Sequence, residues 1–177
     1  ARFFVARRAP PAPRVDHLFP SVRARHALQL DDEASYSVSD EQSADATARV
    51  VAQLSGKDHH PGVVVVDACA CVGGNALSFG RALRKTASGG GADDAALSRR
   101  QSVAAIELDA TRFAMLEHNV RVAGLASTVA CYRGDVTTLA FEEEESARDT
   151  ADDARAAARR ALRNAEVLFL DPPWGGR

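Results

Sequence analysis

The feature that most constrains the fold is a run of β-branched residues, VVVVDA, at residues 63–68. Pro61-Gly62 precedes the run, and a loop of small residues at 69–75 follows it. Four consecutive valines leave no polar side for water, so a strand formed here must be buried on both faces. Strands of that kind occur in parallel sheets that are covered by helices. The run therefore predicts an α/β protein built on a parallel sheet.

Further strands are predicted at about 102–107, 128–133 and 167–170, with helices at about 75–85 and 110–123 between them. The order β-α-β-α-β-(α)-β is typical of a doubly wound, Rossmann-like sheet. Two segments interrupt this pattern. Residues 86–98 contain three consecutive glycines and predict an inserted loop, and residues 142–164 predict a solvated helical insertion because large apolar residues are few there.

The first part of the chain has a different character. Residues 1–14 are rich in Arg and Pro and contain no acidic residue, which predicts a disordered basic arm, with the tail of a transit peptide as the alternative. Residues 15–38 predict a short helix or turn followed by an extended piece. Ser39 and Gln42 match a capping box, so a helix should begin at Ser39. Residues 15–57 are thus a helical extension in front of the sheet domain, 58–177.

Composition excludes several classes of protein. The 177 residues fit one domain. A formal net charge of −2 argues against coating nucleic acid by bulk charge, but it leaves local RNA contacts open. No run of eighteen apolar residues exists, so we predict no membrane span. Three cysteines, two of them spaced C-x-C, make neither a disulfide framework nor a zinc site, so we predict no metal and a reducing compartment. The oligomeric state stays open.

Acidic residues follow all four predicted strands: Asp67, Glu107, Asp135 and Asp171. In parallel α/β sheets, ligands bind beyond the carboxyl ends of the strands. Gly73 and Gly74 would let a ligand approach the backbone at a helix N-terminus. An acid ahead of such late glycines repels a pyrophosphate and attracts an ammonium group, which favours S-adenosylmethionine (SAM) over a nicotinamide dinucleotide.

Two of these acids have separate candidate roles. Glu107 can accept hydrogen bonds from a ribose diol, as acids after the second strand do in dinucleotide sites. Asp135 could face the exocyclic amine of adenine, although a plain turn explains Gly134-Asp135 equally well.

The motif Asp171-Pro172-Pro173-Trp174 is the most specific signal in the chain. Two prolines after a buried strand fix an extended loop whose carbonyls have no local N–H partner. A carboxylate and a proline carbonyl can then accept both hydrogens of a flat exocyclic amine, and the aromatic residue can stack on the base. The amine lone pair is thereby freed to attack a methyl group. A strand-end turn without chemistry is the alternative.

Three stretches together resemble one family. LDDEASYSVSDE (30–41) is similar to L-D-x-E-G-W-[FY]-S-V-T-P-E, VVVVDACACVGGN (63–75) to V-V-V-D-x-F-C-G-V-G-G-N, and FLDPPWGG (169–176) to F-x-[SD]-P-P-W-G-G. The chain thus resembles class I SAM-dependent methyltransferases that act on exocyclic amines. More closely, over about residues 17–176, it resembles the trimethylguanosine synthase family of RNA cap guanine-N2 methyltransferases.

The resemblance implies an enzyme that methylates N2 of 7-methylguanosine in RNA caps, with SAM as cofactor and capped small nuclear or nucleolar RNA as partner. It implies the nucleus as the location, with the cytoplasm as the alternative. The implied cofactor-binding residues are Asp67, Gly73, Gly74, Asn75, Glu107, Asp135 and Ser39. The implied catalytic residues are Asp171, Pro172, Pro173 and Trp174, and the implied substrate-binding residues are Trp174 and Ser37.

The sequence departs from the family pattern at Cys71, where the family has Gly, at Ser35, where it has Trp, and at Ser39-Asp40, where it has Thr-Pro. The family's sheet continues beyond the four strands found here, which should lie in the order 3-2-1-4. We therefore expect a fragment that could lack activity alone. Three alternatives stay open: an amino-methyltransferase for adenine N6 or guanine N2 of RNA or DNA, a nicotinamide-dependent oxidoreductase, and a non-catalytic cap- or partner-binding relative.

Overall fold

The computed structural model describes residues 12–54, 65–87, 103–141 and 150–172. Its helices are α1 (Ala12–Leu18), α2 (Ala34–Ser37), α3 (Glu41–Leu54), α4 (Gly74–Ala87), α5 (Ala110–Val122), α6 (Val136–Phe141) and α7 (Thr150–Asn164), with a 3-10 helix at Arg25–Ala27. Its strands are β1 (Val65–Asp67), β2 (Val103–Glu107), β3 (Val129–Arg133) and β4 (Val167–Phe169). Within these ranges, no helix has the length and apolar character needed to cross a bilayer.

The four strands form one parallel sheet in the order β3-β2-β1-β4. Val65 of β1 lies beside Val103 of β2 on one side and Val167 of β4 on the other. The strand order reverses at β1, which is where doubly wound sheets form a crevice at their carboxyl edge. The predicted fold class and the order 3-2-1-4 are confirmed.

Neighbouring residues along the strands face two separate cores. Val65 and Val103 point into a core that includes Phe79 of α4, whereas Val66 and Ile106 point into a second core. All four of these strand residues have no exposed surface. The second core also contains residues of the last two helices: Leu139 of α6 and Ala158 and Ala161 of α7. Burial on both faces explains why the valine run has no polar side.

Helix α7 corrects one prediction. The sequence correctly indicated a helix, but Ala158 and Ala161 are buried, so the helix is not wholly solvated. Small alanine side chains let it lie close to the sheet, and a shortage of large apolar residues is therefore a poor sign of solvation. Residues 142–149 of the predicted insertion lie outside the described residues. Of the other predicted insertion, residues 86 and 87 belong to α4, and 88–98 lie outside the described residues.

The N-terminal extension is more helical than the sequence indicated. Helix α1 starts at Ala12, so residues 12–14 of the predicted disordered arm are helical; residues 1–11 lie outside the described residues. The piece predicted to be extended contains the single-turn helix α2. It forms because Asp31 Oδ1 accepts a hydrogen bond from the Ala34 backbone N–H at 2.6 Å.

The cap of helix α3 lies one residue later than the capping box predicted, at Asp40 instead of Ser39, and the helix begins at Glu41. Asp40 caps it, since its Oδ1 accepts from the Ser43 N–H at 3.1 Å and its Oδ2 from the Ser43 hydroxyl at 2.9 Å. The Ser39 hydroxyl instead accepts a hydrogen bond from Asn75 Nδ2 at 3.3 Å. The sequence placed the helix correctly but chose the wrong capping residue, because Ser39 is used in a contact that is distant along the chain.

The extension is joined to the sheet domain by buried polar side chains. Glu41, only 6% exposed, pairs with Arg81 of α4 at 2.9 Å and accepts hydrogen bonds from Ser21. Asn119 of α5 has no exposed surface. Its Oδ1 accepts from the Gln29 N–H at 2.8 Å, and its Nδ2 donates to the carbonyls of Gln29 and Val72 at 2.9 Å each. Asn119 thus ties the extension to the loop after β1.

Helix α5 shows how far a helical pattern could locate the core. Of the predicted apolar face, Leu116 and Val120 are buried, while Phe113 and Ala123 are half-buried. Asn119 lies on the buried side because its amide bonds the backbone groups of Gln29 and Val72. A pattern of apolar residues cannot indicate a buried polar residue of this kind.

Replacing Asn119 with Ala should lower the free energy of unfolding by about 2–4 kcal/mol, since it removes one buried and two partly buried hydrogen bonds to the backbone. Denaturant titration of the full chain measures this change. The matched control is Asn164→Ala at the exposed end of α7, which should change stability by less than about 0.5 kcal/mol. Equal effects of the two substitutions would contradict the assigned role of Asn119.

Candidate functional site

A cleft of about 640 Å³ opens at the carboxyl edge of the sheet. That volume is in the range of small-molecule and cofactor sites. The extension supplies one wall, and the segments that follow the four strands supply the rest. The predicted site residues that line the cleft are Ser37, Ser39, Gly74, Asn75, Glu107, Asp135, Asp171 and Pro172.

Two predicted residues within the described ranges are not part of this lining. Asp67 and Gly73 are adjacent in sequence to lining residues but do not line the cleft themselves. Pro173 and Trp174 lie outside the described residues. Direct contact of Asp67 or Gly73 with a ligand, and the roles given to Pro173 and Trp174, stay predictions.

Asp67 is the most perturbed acid described. It is 1% exposed, and neither carboxylate oxygen makes a hydrogen bond of normal geometry with the described residues. Burial raises the pKa of Asp67 to about 7; the nearby N–H groups of Cys69 and Ala76 oppose this rise, and the charges of Asp171 and Glu107 add to it. An ionised carboxylate in such a place needs a cation close by. The position therefore suits the ammonium group of a ligand.

Glu107 holds the two loops that border the cleft. Its Oε2 accepts a hydrogen bond from the Cys71 backbone N–H, and its Oε1 accepts one from the Asp109 N–H, each at 2.8 Å. A carboxylate oxygen can accept more than one hydrogen bond, so both oxygens can still receive a hydroxyl. The predicted ribose contact is compatible with this geometry and stays a prediction.

The loop after β1 has an unusual backbone. Cys71 has a φ of +49° and Gly73 a φ of +104°, both in the left-handed region that favours glycine. Cys71 is held there by the bond from its N–H to Glu107, and its side chain lines the cleft. Burial raises the pKa of the Cys71 thiol to about 11, so it is protonated at neutral pH. Cys71 stands where the family pattern has Gly, and it thus adds a neutral side chain to the lining of the cleft.

The two glycines of the loop make room for protein atoms. A Cβ on Gly74 would overlap Val38 and lie 3.1 Å from the Ser39 carbonyl oxygen, and one on Gly73 would lie 3.0 Å from Leu116. The extension therefore packs directly on the start of α4. This packing role was not predicted; the approach of a ligand to Gly74 stays a prediction.

Asp135 has a structural role that the sequence left open. Its Oδ1 accepts hydrogen bonds from the Thr137 N–H at 2.9 Å and the Thr137 hydroxyl at 2.6 Å, and these bonds lower the pKa of Asp135. It thus caps the start of α6 while also lining the cleft. The sequence left open whether Asp135 forms a turn or contacts adenine. Both are compatible, because Asp135 makes the turn and also lines the cleft; the adenine contact stays a prediction.

The structure brings the predicted acids together. Burial raises the pKa of the Cys69 thiol, and the charges of Asp67, Glu107 and Asp171 all add to that rise. Five acidic side chains line the cleft against two arginines, Arg112 and Arg133, so the described lining favours cations over phosphates. The described residues contain no group of three or more side chains that could hold a metal ion.

Several lining residues were not found from the sequence. Leu108 is 63% exposed despite being apolar, and it lies beside Glu107; Val136 lies beside Asp135. The apolar residues directly after Glu107 and Asp135 could have indicated, from the sequence alone, a surface for a flat ring of a ligand. Arg112 and Glu33, which pair at 2.5 Å, gave no signal because they are 79 positions apart.

Sequence comparison relates the chain to known proteins. A family model described as RNA cap guanine-N2 methyltransferase matches residues 62–177. Trimethylguanosine synthase of Schizosaccharomyces pombe (strain 972 / ATCC 24843) is 26% identical over 155 residues, which cover 87% of this chain and 49% of that protein. The chain therefore spans about half the length of this curated relative.

The raised pKa of Asp67 predicts how stability depends on pH. An unfolded Asp loses its proton near pH 4, whereas folded Asp67 keeps its proton up to about pH 7. The Asp67 contribution to stability is therefore complete below pH 4 and is lost as pH rises to 7. Between pH 5 and 8 the loss should be about 2–3 kcal/mol.

Denaturant titration of the ligand-free chain at pH 5 and pH 8 measures this loss against Asp67→Asn, which has no proton to lose. The substituted chain should lack that part of the pH dependence. Identical pH dependence of the two chains would show that Asp67 ionises normally.

Proposed function

The chain belongs to the RNA cap guanine-N2 methyltransferase family, and from this premise we propose that it transfers methyl groups from SAM to the exocyclic N2 of 7-methylguanosine in RNA caps. The products are dimethylated and trimethylated caps. The observation that carries the proposal is that Asp171 and Pro172 line the same cleft as Glu107 and Asn75. Residues assigned to the acceptor amine and to the methyl donor thus share one cavity.

The donor set of the cleft fits SAM. We assign the buried carboxylate of Asp67, directly before the lining residue Ala68, to the ammonium of the methionine end. Ser39, Gly74 and Asn75, which line the cleft, and Gly73 are assigned to the same end of SAM. We assign Glu107 to the ribose hydroxyls and Asp135 to the adenine amine, with Leu108 and Val136 as apolar neighbours of the ring; all four residues line the cleft. When bound, SAM supplies an electrophilic methyl group on a positively charged sulfur.

To hold the guanine amine that accepts the methyl group, the protein needs to supply only hydrogen-bond acceptors. In the proposal, the Asp171 carboxylate and the Pro172 carbonyl each accept one N–H of the guanine amine, which turns the nitrogen lone pair towards the methyl donor. Positive charge develops on that nitrogen as it reacts, and the negative charge of Asp171 stabilises it. The same carboxylate is the nearest assigned acceptor for the proton that the amine loses.

Recognition of the cap is assigned to Trp174 and Ser37. A 7-methylguanine ring carries a positive charge, so an indole attracts it by cation–π interaction as well as by stacking. Ser37 lies on the wall formed by the extension, at the cleft. We propose capped small nuclear or nucleolar RNA as the partner and the nucleus as the location, in line with the trimethylguanosine synthase that the chain resembles.

Replacing Asp171 with Asn should lower the rate of methyl transfer by about 100-fold or more, because a charge that acts mainly in the transition state is removed. Affinity for S-adenosylhomocysteine, the cofactor product, should stay within a few-fold. Transfer of labelled methyl to a 7-methylguanosine cap analogue and calorimetry measure the two quantities.

Asp153→Asn, an exposed acid on α7, is the matched control and should change neither quantity. Normal turnover by Asp171→Asn would reduce the motif to a structural turn. Failure of the parent chain to bind S-adenosylhomocysteine would contradict the cofactor assignment.

A further inference from the structure

The cleft depends on a segment that is distant in sequence from the sheet. Glu33, Ser37, Val38 and Ser39 form one wall, and they all belong to the N-terminal extension. A ligand in the cleft meets the complete site only when residues 31–39 are docked against the sheet domain. Whatever fixes this segment in place therefore affects ligand affinity.

At its N-terminal end the docked segment is held by the guanidinium of Arg112, next to the contact between Asn119 and Gln29. Arg112, in the first turn of α5, donates from Nε to Asp31 Oδ2 at 2.9 Å and from Nη2 to Glu33 Oε2 at 2.5 Å. The side chain of Arg112 is 20% exposed and that of Asp31 is 31% exposed. Hydrogen bonds between charged groups are stronger than neutral ones, and partial burial reduces their screening by water. This guanidinium bridge is here called the Arg112 clasp.

The two acidic residues of the clasp also build the wall, Asp31 through its carboxylate and Glu33 through its backbone carbonyl. Asp31 Oδ1 caps α2 through the Ala34 N–H, and the Glu33 carbonyl accepts from the Ser37 N–H at 3.0 Å and the Ser37 hydroxyl at 3.0 Å. A four-residue helix is too short to persist alone. Holding both carboxylates therefore stabilises the turn that presents Ser37 to the cleft.

The other end of the segment is held by packing and one weaker hydrogen bond. Val38 and the Ser39 backbone pack on Gly74, and the Ser39 hydroxyl accepts from Asn75 at 3.3 Å. Residues 31–33 contact α5 and residues 38–39 contact α4, so α2 spans the cleft between the two helices. Release of the clasp would free the first of these attachments.

We propose that Arg112 is a positioning residue for the cofactor, and that its clasp on Asp31 and Glu33 keeps the extension docked as the wall of the cleft. Arg112 also lines the cleft, but its Nε and Nη2 donate to Asp31 and Glu33, and we assign its effect to this hold on the segment and not to contact with the ligand. The proposal rests on the assignment of the cleft to SAM. An apparent dissociation constant rises in inverse proportion to the docked fraction, so a chain that is docked one-tenth of the time binds about tenfold more weakly.

Hydrogen exchange of the 31–39 backbone and calorimetry with S-adenosylhomocysteine test the clasp in the full chain. Arg112→Gln should speed exchange of 31–39 in the ligand-free chain and weaken binding about tenfold. Arg112→Lys should recover part of both effects, because it keeps the charge but not the bridge. The matched control is Arg121→Gln on the same helix, whose Nε bonds the Glu117 carbonyl; it should change neither.

A double-substitution cycle with Glu33→Gln separates the clasp from independent effects. Once Arg112→Gln has opened the clasp, adding Glu33→Gln should weaken binding little further. Additive losses would overturn the proposal. So would a loss of affinity in Arg112→Gln without faster exchange of 31–39, because that pattern means direct contact with the ligand.

The outcomes distinguish this proposal from the assignment of SAM. If the parent chain does not bind S-adenosylhomocysteine, the cofactor assignment fails, and the exchange of 31–39 in the ligand-free chains still decides whether the clasp exists. If Arg112→Gln fails to fold, the same comparison is made with Arg112→Lys and with Glu33→Gln, whose side chain is 65% exposed. Unchanged exchange in both would overturn the clasp.

Discussion

The burial of β1 on both faces is the constraint on which the rest of the structure depends. With Val65 in one core and Val66 in the other, the chain after β1 can leave only at the carboxyl edge of the sheet. Asp67 is thereby fixed at the end of a buried strand, where its carboxylate lacks both water and hydrogen-bond partners of normal geometry among the described residues. A carboxylate in that state has a raised pKa and an affinity for cations. The fold thus places a carboxylate that favours cations directly beside the lining of the cleft.

The second constraint is the attachment of the extension, which is polar. Asn119 binds the backbone of Gln29 and Val72, Glu41 pairs with Arg81, and Arg112 pairs with Asp31. Buried polar contacts fix one arrangement strictly, because each unpaired group would carry a large desolvation cost. Apolar packing alone tolerates small shifts of a segment. The wall of the cleft is therefore placed by contacts that specify its position.

Sequence reasoning succeeded where the determining interactions are local. The valine run predicted β1, and the acids after each strand were placed at one edge because parallel strands share their direction. It failed where a distant residue decides. Ser39 looked like a helix cap, but Asn75 uses its hydroxyl, and Asp40 caps α3 instead. Arg112 and Glu33 are far apart along the chain, so no spacing could indicate that they meet.

The proposed methyl transfer to the RNA cap is tested most directly by identifying the atom that receives the methyl group. The full chain is incubated with SAM labelled in its methyl group and an RNA that carries a 7-methylguanosine cap, and the RNA is digested to nucleosides for mass spectrometry. We predict label on N2 of the cap 7-methylguanosine, and little on an RNA whose cap guanosine lacks the 7-methyl group, since only the charged ring gains cation–π attraction. Label on adenine N6 or on internal guanine would contradict it.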